Sequence, residues 1–183
     1  MGMPATTQTD RFTHDTETAP RETTARDTAP APAAGPGPLL DLGLLAGRLL
    51  VGFVMAAHGY QKVFDIGPAA FGTSTLEPLG VPMPTAAGYL VAFTELIGGV
   101  LLMAGLLTRL AAFALIVDLA VAIALVKSKV PLIVAPDKPG AGLELDLALI
   151  AGFAVALLAG PGRVSLDRAL GLDARWGRRR ARA

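Results

Sequence analysis

The chain has 183 residues, a net charge of +1, no cysteine, and 52% hydrophobic against 17% charged residues. Without cysteine it has no disulfide, no thiolate-held iron–sulfur cluster and no thiol exchange of its own, and so small a net charge leaves no electrostatic footprint for nucleic acid. Only 14 of the 31 charged residues fall in the 124 residues from 39 to 162, so that middle is far more apolar than a soluble domain with its ~25% charge.

Residues 1–38 are rich in Thr, Ala and Pro and hold almost no large apolar side chain. Such a segment buries too little surface to offset its ordering entropy, and a disordered cytoplasmic tail is expected. The first 30 residues contain no apolar core of a secretory signal. Four apolar runs follow, at roughly 39–61, 84–107, 109–127 and 143–160. A helix needs about 20 residues to cross a ~30 Å hydrocarbon layer, where only helices and closed barrels satisfy their own backbone. The runs do not alternate as strands do. They predict an all-α, four-helix transmembrane bundle over 39–162, in contact with the lipid bilayer. The helices of a soluble bundle would each show a polar face.

The joints differ. Leu107, Thr108 and Arg109 form a tight turn in which Thr108 is expected to cap the third helix. The stretches 63–83 and 128–142 are longer and rich in Pro and Gly. The first, with Phe64, Phe71, Leu76 and Leu79, is expected either at the membrane interface or folded back over the bundle. Gly160, Pro161 and Gly162 end the fourth run, and Ser165 then caps a short helix with Asp167 in its first turn. Residues 163–183 read as a basic cytoplasmic tail lying near anionic headgroups, not as a nucleic-acid arm. Eleven of the sixteen Lys and Arg residues lie on the side shared by the termini and the tight turn, and four lysines lie opposite. The positive-inside rule therefore predicts a multi-pass chain with both termini in the cytoplasm.

Three charges, Arg48, Glu95 and Asp118, lie deep inside the apolar runs. At ~1.5 Å per residue, Arg48 and Asp118 sit roughly 13 Å, and Glu95 roughly 18 Å, from the same membrane face. Intramembrane charges usually face the bundle interior and pair, so Arg48 is expected to bridge Glu95, Asp118 or both. Arg48, Gly52, Met55, Gly59 and Lys62 are spaced as one helical stripe. Gly98 and Gly99 flank Glu95's face, and Gly52, Gly59, Gly98 and Gly99 are the candidate sites of close helix packing. Near the opposite membrane face, His58 and Lys62 end the first helix while Glu144 and Asp146 begin the fourth. These four are a candidate outer pocket. The plainer alternatives are that the inner charges only lock helix register and that the outer ones are ordinary interfacial residues. His58 alone gives neither a haem nor a zinc ligand set, and no phosphate loop or nucleophile triad is visible, so no metal site and no catalytic residue are assigned.

The segments GRLLVGFVMAAHGYQKVF, AFTELIGGVLLMAGLLTRLAAFAL and GLELDLALIAGFAVALLAGPGRVSLD resemble the DoxX family of small bacterial integral membrane proteins. The resemblance rests on Arg48, Gly59 and Lys62, then Glu95, Gly98, Gly99, Gly105 and Arg109, then Glu144, Gly160, Gly162, Arg163 and Asp167, and covers about 45–168. Asp118 lies outside the pattern. The resemblance implies a four-helix membrane bundle linked to respiratory or sulfur redox complexes and to oxidative-stress defence. It implies redox-stress proteins as partners and no self-contained catalytic site. Redox work would then need a bound quinone or a partner's cofactor, with His58, Lys62 or Arg48 donating hydrogen bonds to a quinone carbonyl. The expected function is an accessory or quinone-handling subunit. The alternative is a small transporter or membrane adaptor that uses Arg48, Glu95 and Asp118.

Overall fold

Pro38 sits at the first helical position, where its missing N–H costs nothing, and opens α1, Pro38–Tyr60. This helix runs on through the wider, π-type turns of Gln61–Ile66, giving 29 residues in line. Pro84 opens α2, Pro84–Ala104, which Gly105 ends at φ 65°. After Leu106 and Leu107, α3, Thr108–Leu125, begins, and α4 is Leu143–Ala159. The computed structural model describes Gly2, residues 37–135, Gly140 and residues 142–172. The expected disordered tail before residue 37 and the arginine-rich run 175–182 otherwise lie outside the described residues.

The chain is all-helical over these elements. Extended α1, α2 and α3 are long and apolar enough to cross a membrane. α4 has 17 residues, or about 26 Å. It is nonetheless level with α3 at both ends. Arg109 near the start of α3 donates to the Leu157 carbonyl near the end of α4. Lys127, just past α3, pairs with Asp146 at the start of α4. The four long helices therefore alternate up and down.

Close approach of α1 and α2 depends on glycine. A methyl group at Gly59 would strike the Leu96 backbone, and one at Gly99 would lie 2.6 Å from the Gly52 carbonyl oxygen. A methyl at Gly52 would meet Met103 at 2.8 Å, while Gly98 faces the Leu115 side chain of α3. In lipid, such packing replaces the hydrophobic drive that water would supply. Met55, Leu102, Leu115, Leu149 and Phe153 fill the centre. Leu50, Phe53, Leu90, Ile97, Leu110, Phe113 and Leu158 point outward and exposed, as a lipid solvent allows.

The stretch 63–83 takes the second of its two expected places. Its helical turns, Pro68–Phe71, Gly72–Leu76 and Glu77–Leu79, fold back over the end of α2. Gly88 lets them in, since a methyl there would strike the Pro68 carbonyl. Leu76 is buried beneath them.

Candidate functional site

The buried charges divide between the two ends of the bundle. At one end they tie the chain to its own backbone. Arg48 donates to the carbonyls of Pro161 and, at 2.8 Å, Val164. It packs against Gly105, where any side chain would collide with the guanidinium and with Ser165. Asp167 accepts from the N–H groups of Leu107 at 2.7 Å and Thr108 at 2.8 Å, the unsatisfied donors at the start of α3. Its own N–H reaches the Gly105 carbonyl at 2.8 Å. Leu107, held at φ 48°, keeps its left-handed conformation under this clamp. Arg109 packs at Gly160, and Arg163 donates its backbone N–H to Asp41 at 3.1 Å. Segment 160–170 is thus a latch across the ends of α1, α2 and α3.

Two sequence expectations are corrected here. Arg48 does not bridge Glu95 or Asp118. Position along the helix axis leaves out side-chain direction. A Cα–Cβ bond tilts toward the helix N-terminus, and for Arg48 that way lies the latch. Thr108 does not cap α3. It is the first helical residue, its hydroxyl has no hydrogen-bond partner among the described residues, and Asp167 supplies the cap from 59 positions away. Ser165 does accept from the Arg168 N–H at 3.3 Å, as a cap of its short helix.

The opposite end encloses a cavity of about 530 Å³. Lys62 also leans toward the N-terminus of its helix, which here points into the bundle. Its ammonium lies 2.5 Å from Glu95 Oε2 and 5.4 Å from the Phe71 ring centre. Lys127 holds both oxygens of Asp146, at 2.9 and 2.7 Å. His58, Lys62, Glu95, Asp118, Lys127 and Asp146 all line this one space. Asp118 Oδ2 is buried without a hydrogen-bond partner among the described residues. The rest of the wall is apolar, including Met55, Leu119 and Leu149 from the core and Phe71, Leu76 and Val81 from the folded-back turns.

The cavity therefore merges two groups that the sequence kept apart, Glu95 and Asp118 from the inner cluster and His58, Lys62 and Asp146 from the outer pocket. Glu144 is not among its lining residues. It is exposed, and its carboxylate accepts from the Gly142 N–H at 3.3 Å at the head of its own helix. Lys127, counted from sequence only toward membrane orientation, belongs to the site. Its place beside the joint that leads to Asp146 was the available signal. Asp41, a carboxylate one turn into an apolar helix, was likewise legible as a charge in need of a partner.

Comparison with known proteins adds kinship. The DoxX family profile matches residues 43–128. An uncharacterized membrane protein of Mycobacterium tuberculosis is 36% identical over 135 residues, which is 67% of this chain and 78% of that relative. No solved structure matches the chain.

Proposed function

The chain belongs to the DoxX family of membrane proteins, and from that premise we propose that it is a quinone-handling accessory subunit of a membrane redox or oxidative-stress system. One observation carries the reading. A cavity of about 530 Å³, walled mostly by apolar side chains, presents a few converging charged groups inside a membrane protein. That is the usual build of a small-molecule site, with apolar walls for burial and a few polar groups for orientation.

The wall also suits a lipid-soluble ligand. Leu90, Val121 and Leu125 line the cavity and are at the same time exposed on α2 and α3. Entry by that route is from the hydrocarbon layer, not from water. Within the cavity Lys62 gives one N–H to Glu95 and keeps others free to donate. His58 offers a further ring nitrogen. These two groups fit a quinone carbonyl oxygen, while the apolar walls fit the ring. A bound quinone would supply the two-electron carrier, and redox-stress proteins would exchange electrons with it. Arg48 has no part in this, because its donors are committed to the latch. For the same reason a transport path through Arg48, Glu95 and Asp118 is not favoured.

In the same reading both termini face the cytoplasm of a bacterial cell, because most of the arginines lie on their side. The test of function is mass spectrometry of lipids and quinones extracted from protein purified in mild detergent. Near-stoichiometric quinone in the wild type, lost in the His58→Ala, Lys62→Met double variant, is expected. Wild-type protein that carries neither quinone nor a redox partner would overturn the reading, as would proteoliposome uptake of a solute dependent on Glu95.

A further inference from the structure

The packing of α2 against α3 brings two carboxyl groups together. The helices run in opposite directions, and Gly98 of α2 faces Leu115 of α3. One turn from that contact, toward the cavity, stand Glu95 on α2 and Asp118 on α3. Glu95 is buried, both side chains line the cavity, and the two carboxyl groups lie within hydrogen-bonding range of each other. Among the described residues only one ammonium reaches them. Lys62 binds Glu95 at 2.5 Å, while Lys127 is taken up by Asp146 at 2.7 Å.

Two ionised carboxyl groups cannot hydrogen-bond, since each only accepts. At contact in a low-dielectric site they repel, and a single lysine offsets only one of them. One proton removes both difficulties. The protonated group donates to its neighbour, a charge-assisted hydrogen bond of the stronger kind, and Lys62 matches the one charge that remains. We infer that Glu95 and Asp118 form a proton-binding site in the cavity wall, with one proton shared between the two carboxyl groups. The other titratable groups facing this space are His58 on α1, Lys127 beyond α3 and Asp146 on α4, and the last two pair with each other. His58 aside, the loaded wall balances two cations against two anions, as suits an uncharged ligand. Loss of the proton leaves a net negative wall. The site stands apart from the quinone reading, and so does its test.

Infrared spectroscopy reads the proton directly. Full-length protein in an ester-free detergent at neutral pH is measured in H2O and in D2O. A protonated carboxyl has its own carbonyl band, above the amide band, that shifts on deuteration. The difference between wild type and Asp118→Asn is expected to show a single such band, present in the wild type alone. Glu95→Gln is expected to lose it as well, because the carboxyl that survives in either variant pairs with Lys62 and gives up the proton. Asp146→Asn, across the cavity, is expected to keep it. A wild type without a deuterium-sensitive band overturns the inference. So does a band that survives either of the first two substitutions or disappears in Asp146→Asn. All three replacements preserve shape, and the wild-type spectrum alone can overturn the inference if a variant fails to fold.

Discussion

The two ends of the bundle bury charge in opposite ways. At the latch, arginines and Asp167 are joined to backbone groups, namely the carbonyls of Pro161, Val164 and Leu157 and the N–H groups of Leu107 and Thr108. At the cavity, side chains are joined to side chains, Lys62 to Glu95 and Lys127 to Asp146, and both pairs face a void. The difference decides what each end can lose. A side-chain pair can be replaced together by apolar residues, often at no net cost. A side chain that satisfies backbone cannot be compensated, because the backbone groups remain. The latch is thus expected to be required for folding, while the charges at the cavity are expected to be dispensable for it and, on the proposed function, to serve binding.

The strongest way to break this comparison is Arg48→Met. It strips the donors from two carbonyls and leaves Asp167 without its neighbouring cation. A loss of about 3–5 kcal/mol is expected, as for other buried pairs broken from one side, read as a fall in unfolding midpoint in detergent. Quinone bound per folded molecule should not change. Gly59→Ala comes next, at about 1–3 kcal/mol for overpacking against the Leu96 backbone. Because it pushes α1 off α2 beside Glu95, it should also weaken quinone binding, the one substitution here that reduces both. Asp167→Asn keeps the shape and one hydrogen bond but removes the charge at the head of α3. It should cost about 1 kcal/mol and leave binding untouched. Ligand loss in either latch variant would blur the division between the two ends.

Much of this division was written in the sequence, but not its partners. The four apolar runs and the punctuation by Pro38, Pro84, Gly105 and Gly160 are local signals, and the helices follow them closely. The stripe Arg48, Gly52, Met55, Gly59, Lys62 is a real packing face: its first four residues are buried and Lys62 is half-buried. Its two charged ends, however, lie about 21 Å apart along the helix and serve different ends of the bundle. Spacing gives position along an axis, not the direction in which a long side chain reaches or which helices stand beside it. Asp167 capping α3 and Lys127 meeting Asp146 depend on contacts between elements, which no local pattern encodes. The family signature residues fall in three segments of the sequence but divide between the two ends of the bundle. Arg48, Gly105, Arg109, Gly160, Arg163 and Asp167 gather in the latch, and Lys62 and Glu95 gather in the cavity.

The most direct test is the paired substitution Lys62→Met with Glu95→Met, purified in mild detergent beside the wild type, with unfolding midpoint and quinone content measured on the same samples. The account predicts a midpoint unchanged to within the equivalent of about 1 kcal/mol, since both charges leave together, and loss of the bound quinone. A collapsed midpoint, or quinone retained at the wild-type level, would contradict it.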